Sequence, residues 1–311
     1  MARAPARIDF GGGWTDVPPY CDREGGFVCN VAISRHARAR VERNATESAF
    51  SVSPDEPLLR AAAQRSRLIG VDIALTTDFP KGAGLGGSSA ASAAVFGAIS
   101  SLKSTPANRV DIAEEGRRLE VEALGIAGGR QDHYATTHGG ALALTFTTSV
   151  SVRRIALAKS TAVALPARSL LIYTGESRIS GDTITAVLGA YAAGDKPVVT
   201  ALAKMKALAT QMARALEGGN IDDLGCLMGE HWEYQRSLHP SIPTQRIDQI
   251  VASARNAGAL GSKAMGASGG GCVLVLTREG ETERVRSAIA NLGTLLDFAI
   301  DPDGLVIEEA A

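Results

Sequence analysis

Residues 78–92 read "DFPKGAGLGGSSAAS", a glycine-rich turn between two segments of opposite character. Before it stands "VDIALTTDFP", rich in β-branched residues, which reads as a strand. After it, "SSAASAAVFGAISSL" reads as a helix capped by serines, small enough in its side chains to pack closely on a sheet. Gly82, Gly84, Gly86 and Gly87 let the backbone take positive φ and approach a ligand. Free amides where a helix opens, with its dipole behind them, form an anion site. A serine hydroxyl there can reach a Mg²⁺ bridging phosphates. Lys81 precedes the glycines and no Gly-Lys-Ser/Thr run closes the loop, so this is not a Walker A motif. Gly82, Gly84 and Gly87 make a dinucleotide fingerprint only with an acidic residue about 20 positions on. Alone, such a stretch is equally a flexible connector.

Outward from this turn the chain alternates strands and helices. "ARIDF", "GFVCNVAIS" and "HARARVER" predict strands, the last with one wet face. "PLLRAAAQRSRLIG" and "RVDIAEEGRRLEVEALG" predict helices that stop at glycines. "GALALTFTT" and "SVSVRRIAL" alternate like paired strands, and "AKSTAVALPARS" is a softer stretch before the strand "LLIYTG". A domain boundary is placed near residue 165. Beyond it come helices at 181–193, 197–216, 221–237 and 244–258, strands at 262–267 and 272–277, a helix near 281–291 and a terminal strand pair. Strands and helices mixed in both halves give an α+β class.

The 311 residues suffice for two ordinary domains. Hydrophobic content of 45% with 21% charged residues describes a folded, soluble chain. A formal net charge of −1 offers no field for nucleic acid or an anionic membrane, so neither is expected as a partner. Cys21, Cys29, Cys226 and Cys272 form no CxxC pair and are expected as reduced thiols. With no signal peptide and no run of roughly 18 apolar residues, a cytoplasmic protein is expected.

Three further glycine clusters carry polar residues. In "RIDFGGGWTDVPPY", residues 7–20, a strand runs into a tight turn that presents Asp16, either to ligand hydroxyls or to an Asx turn. In "YTGESRISGD", residues 173–182, Arg178 suits a phosphate or is an exposed turn residue. In "GASGGGCVLVL", residues 266–276, the glycines allow close backbone packing beside a ligand or merely join strands. "GIAGGRQDHYATTHGG", residues 125–140, sets Arg130, Gln131, Asp132 and His133 between two glycine pairs.

Taken in order, "PARIDFGGGWTDVPPY", "PKGAGLGGSSAAS", "GGRQDHYATTHGG" and "GASGGGCVLVL" resemble the motifs of the GHMP small-molecule kinases over almost the full chain. "GIAGGRQDHY" and "LLIYTGESR" are most similar to heptose 7-phosphate kinases, and "GGWTDVPP" also to the kinase part of fucokinases. The resemblance implies a two-domain fold: a ribosomal protein S5 domain 2-like ATP-binding domain over 1–165 and a ferredoxin-like domain over 166–311. ATP and sugar would lie between them.

The resemblance also implies roles. Lys81, Gly82, Gly84, Gly86, Gly87, Ser88 and Ser89 would bind ATP, with Gly87 standing where many relatives carry a second serine. Ser88 and Glu120 would hold Mg²⁺, with Glu122 the rival two positions on. Asp132 would be the catalytic aspartate and Arg7 the cation facing it, a role Arg130 could share. Gly12, Thr15, Asp16, Arg130, Thr174, Ser177 and Arg178 would bind substrate. His133 and His138 are read as packed turn residues, and Trp14 either stacks on a sugar or lies under the glycine turn. Glu230, His231 and Arg236 are assigned chiefly to core and domain interface.

The activity implied is transfer of the ATP γ-phosphoryl to the anomeric hydroxyl of a sugar or sugar phosphate, first D-glycero-D-manno-heptose 7-phosphate, otherwise L-fucose or another free sugar. A non-catalytic sugar- or nucleotide-binding protein and a decarboxylating lyase on the same fold are the rivals. The enzyme would act as a monomer or homodimer.

Overall fold

Alternating small apolar and charged residues pair the N-terminal strands, and the computed structural model describes residues 1–43, 57–66, 70–102, 107–125, 128–176 and 181–308. The first half gives β1 (Ala2–Gly11), α1 (Tyr20–Glu24), β2 (Gly26–Arg43), α2 (Pro57–Ser66), β3 (Val71–Thr77), α3 (Gly87–Ser100), α4 (Arg109–Arg118), α5 (Gln131–His138), β4 (Ala141–Phe146), β5 (Val150–Ile155) and α6 (Lys159–Ala167). The second gives β6 (Ser169–Tyr173), α7 (Gly181–Ala192), α8 (Lys196–Glu217), α9 (Ile221–Ser237), α10 (Gln245–Asn256), β7 (Gly261–Ala264), β8 (Cys272–Leu276), α11 (Thr282–Ile289), β9 (Thr294–Leu295) and β10 (Val306–Ile307).

The first sheet runs β10-β1-β2-β4-β5, with β3 also on β2; the second runs β7-β8-β6-β9. All the pairings are antiparallel. The two strands expected at 26–34 and 36–43 are one, β2. No turn residue interrupts it, and it serves β4 with its first part and β3 with its last. In that last part Ala37 and Ala39 are buried while Arg38 and Arg40 are exposed, the wet face the alternation predicts. The terminal strand pair is also corrected. β9 pairs with β6 and β10 with β1, so the C-terminal segment returns to the first sheet.

The alanine- and serine-rich α3 is buried on every side from Ser89 to Ser100, which its small side chains permit. It packs on β1 and β2 and opens at Gly86, whose φ is 69°. "AKSTAVALPARS" is not a loose stretch but contains α6, which buries Thr161 and Leu165 and carries Pro166 in its last turn. Position 165 therefore lies in the helix joining β5 of the first sheet to β6 of the second. One core continues from Ile8, Ile33 and Val95 to Met212, Leu216 and Leu274. No helix among the described residues is long and apolar enough to cross a membrane.

Candidate active site

Arg7 lies where β1 passes under the glycine turn. Its Nε and Nη2 donate to Oδ1 and Oδ2 of Asp132, both at 2.7 Å, and its Nη1 donates to Gly84 O at 2.5 Å. The Arg7 side chain is 4% exposed and that of Asp132 27%. Burial opposes the charge of Arg7, but Asp132 beside it more than offsets this and holds the guanidinium above its ordinary range. Two parallel charged hydrogen bonds fix the carboxylate in orientation as well as in place. Each carboxylate oxygen keeps a further lone pair for a ligand.

The turn itself presses on this pair. Gly82, Gly84 and Gly86 adopt φ of 74°, 73° and 69°. A Cβ on Gly86 would stand 3.3 Å from Arg7 Cγ and Asp132 Cβ. The first bond of α3 runs from the Ala90 amide to Gly86 O at 2.9 Å. The amides of Gly87, Ser88 and Ser89 therefore precede the helical ladder and point out of its positive end. Lys81 is exposed at the entry to the turn. From behind, the Cys272 amide donates to Ala83 O at 2.8 Å, and a Cβ on Gly271 would meet the same oxygen at 2.8 Å. Gly266 and Gly271 thus support the turn by backbone contact.

A π-helical turn, Leu119–Ala123, ends α4 and separates its two acidic side chains. Glu120 is buried: Ser89 Oγ donates to its Oε1 at 3.3 Å, and His133 Nε2 lies 3.3 Å from its Oε2. Glu122 points outward to Arg65, at 3.2 Å. Burial opposes ionisation of Glu120, but His133 and the hydroxyls of Ser88 and Ser89 outweigh it and hold the carboxyl below its ordinary range. This is an anionic oxygen site beside the free amides of α3, the donor chemistry that suits Mg²⁺.

Asp16, expected to bind substrate, has a partner within the protein. It is 2% exposed, and its Oδ2 accepts the Gln131 amide at 3.0 Å, capping α5 from a turn 115 residues away. A Cβ on Gly129 would lie 1.8 Å from that oxygen, so the cap requires glycine there. Asp132 stands in the first turn of the capped helix. Burial, with the charges of Asp132 and Asp9, pushes the Asp16 carboxyl up to about 6 despite the Gln131 hydrogen bond. Its folded-state value is raised, so this group's contribution to stability falls as pH rises from about 4 to 6. Asp16→Asn keeps an acceptor for Gln131 and removes the buried charge. It is expected to raise unfolding stability at pH 7.5 by up to about 3 kcal/mol, with little change at pH 4. Urea unfolding at both pH values checks this; equal stability of the two proteins at pH 7.5 counts against it.

The other expected residues are placed as follows. The Gly12 amide donates to His231 Nε2 at 2.9 Å, and Thr15 Oγ1 donates to Gly12 O at 2.7 Å with Thr15 fully buried, so both build the turn. Arg130 does not share Asp132; its Nε lies 3.9 Å from Glu114 Oε1 on α4. Thr174 is buried and donates to Gly271 O at 2.9 Å. Ser177 and Arg178 lie outside the described residues. Trp14 is buried in a core cluster with Tyr20 and Leu170, and His138 stacks on Tyr134 at 5.6 Å. Burial pushes His231 down to about 3, so it accepts the Gly12 amide as a neutral imidazole. Arg236 pairs with Asp248 at 2.9 Å.

The sequence matches the GHMP kinases N terminal domain over residues 56–140 and the GHMP kinases C terminal domain over residues 212–294. A mevalonate kinase of Pyrococcus abyssi is 30% identical over 260 residues, covering 82% of this chain and 72% of that protein. The chain belongs to the GHMP kinase family. It is accordingly a phosphotransferase with an alcohol group as acceptor and ATP as donor. This GHMP kinase is also similar to the D-glycero-alpha-D-manno-heptose 7-phosphate kinase of Campylobacter jejuni, 25% identical over 330 residues and 97% of each chain. A crystal structure of a D-glycero-D-manno-heptose 1-phosphate kinase from Bacteroides thetaiotaomicron shares its fold, with a TM-score of 0.78 at 24% identity over 98% of this chain and 97% of that one.

One pair in this GHMP kinase went unread in the sequence. Lys263 Nζ, on β7, donates to Asp9 O at 2.9 Å and Asp9 Oδ2 at 3.0 Å, joining the second sheet to β1. No local pattern marks it, since the two residues are 254 positions apart.

Proposed function

We propose that this kinase transfers the γ-phosphoryl group of ATP to the anomeric hydroxyl of D-glycero-D-manno-heptose 7-phosphate, giving the 1,7-bisphosphate. The observation that carries the reading is the two-pronged Arg7–Asp132 pair at 2.7 Å, set against Gly86. The likeness to the Campylobacter jejuni kinase along 97% of both chains supports the acceptor.

Asp132 orients the attacking hydroxyl and takes its proton on a free lone pair. Arg7 holds that carboxylate and faces the negative charge that spreads over the transferred group. The amides of Gly87, Ser88 and Ser89 bind phosphate oxygens at the positive end of α3. Ser88 and Glu120 would hold Mg²⁺, which neutralises phosphate charge when bound. Glu120 fits that task because it is ionised, buried and beside serine oxygens.

Glu120→Gln is expected to lower kcat on the order of 10²-fold and to raise the Mg²⁺ requirement roughly tenfold or more, whereas Glu122→Gln stays within about twofold of wild type. A Mg²⁺ titration of turnover checks both, and a Glu120→Gln enzyme with normal Mg²⁺ dependence would remove Glu120 from the metal site. The acceptor is tested by ADP release and product mass with sugar 7-phosphates, L-fucose and other free sugars. Strong turnover of the heptose 7-phosphate is expected. Activity on free fucose with none on any sugar phosphate would overturn the assignment.

A further inference from the structure

β7 carries Lys263 into the centre of the molecule, where its side chain has no exposure to solvent. Both atoms it touches, Asp9 O and Asp9 Oδ2, are acceptors, so Nζ donates to each. Asp9 lies two residues along β1 from Arg7 and therefore on the same face of the strand. Its Oδ1 has no protein partner. A buried ion pair is seldom retained for stability, because well-packed apolar side chains serve as well or better. Here it has a local consequence: an uncompensated Asp9 would be a second carboxylate competing with Asp132 for the Arg7 guanidinium.

We infer that Lys263 is a positioning residue for phosphoryl transfer: it occupies Asp9, leaves the Arg7 fork to Asp132, and ties that pair to the docking of the second sheet on the first. The inference rests on Arg7–Asp132 being the catalytic pair. The charged and titratable groups facing Asp9 are Lys263 from β7, His231 from α9, Arg7 from β1, Cys29 from β2 and Asp16 from the N-terminal turn. Burial opposes ionisation of Asp9, and Lys263 above all, with Arg7 beside it, holds it below the ordinary carboxylate range. Without Lys263, and with His231 neutral, Arg7 is the cation left to it.

The test uses the full chain with ATP and D-glycero-D-manno-heptose 7-phosphate, or L-fucose if the acceptor panel selects it. Lys263→Met is expected to lower kcat about 10²-fold while KM for ATP stays within about threefold. The loss should deepen as pH rises from 5 to 8, because Asp9 ionises and draws Arg7 away. Adding Asp9→Asn should bring kcat to within about fivefold of Asp9→Asn alone and abolish the added pH dependence. A lysine that only stabilises the fold gives a lower Tm, an unchanged kcat below the transition and no rescue by Asp9→Asn, and that result overturns the inference. Should Lys263→Met fail to fold, Lys263→Gln is measured in its place: a kcat loss that deepens with pH and is rescued by Asp9→Asn upholds the inference, and an unchanged kcat refutes it. Asp132→Asn run alongside separates the two readings. An active Asp132→Asn refutes the catalytic pair, whereas an inactive one beside a fully active Lys263→Met refutes only the role of Lys263.

Discussion

Asp132→Asn is expected to lower kcat by about 10³-fold or more while leaving ATP affinity within about threefold of wild type. The change preserves shape but removes the charge that pairs with Arg7 and the acceptor that takes the hydroxyl proton. An amide NH₂ must also face one arm of the guanidinium, so one of the two 2.7 Å bonds is lost. Under the proposed mechanism nucleotide binding depends on different groups, the amides at the start of α3 and the glycine turn. Single-turnover phosphorylation with calorimetric ATP binding separates the two effects. An Asp132→Asn protein that phosphorylates its acceptor within tenfold of wild type would sink the mechanism.

Arg7→Met should be nearly as damaging, with kcat lower by roughly 10²- to 10³-fold. Methionine matches the buried stem but leaves both Asp132 oxygens and Gly84 O without their donors. The carboxylate then loses its orientation and the glycine turn loses its tie to β1. Loss of stability should be modest, about 1–3 kcal/mol, because Asp132 is partly exposed and water can replace one partner. Arg7→Lys retains charge but cannot bridge two oxygens and a carbonyl, so an intermediate loss is expected. Steady-state kinetics on both variants, with urea unfolding, tests this ordering. Wild-type kcat in Arg7→Met would remove Arg7 from the reaction.

How much of this site is legible along the chain depends on the range of the forces involved. The strand, glycine turn and helix around 78–92 follow from local conformational preference, and the structure has positive φ at Gly82, Gly84 and Gly86. α5 was not legible. It has eight residues between glycine pairs, and most of its side chains are buried, so it shows no apolar stripe of the kind that marks a surface helix. α6 was missed for a related reason, since it buries only Thr161 and Leu165. The single strand β2 looked like two because its face requirements change where its neighbour changes from β4 to β3.

From residue order alone came the kinase family, the phosphate-binding turn and the nomination of Arg7, Glu120 and Asp132. The family and the three residues rest on the resemblance of four ordered motifs, and the turn on the backbone freedom that glycine confers wherever it stands. Tertiary structure alone decided that Glu120 rather than Glu122 meets the serines, that Asp16 caps α5, and that Lys263 lies against Asp9. Those contacts join residues 31, 115 and 254 positions apart. They form only when packed elements bury polar groups away from water, and a buried charge must then take whichever partner the fold brings to it.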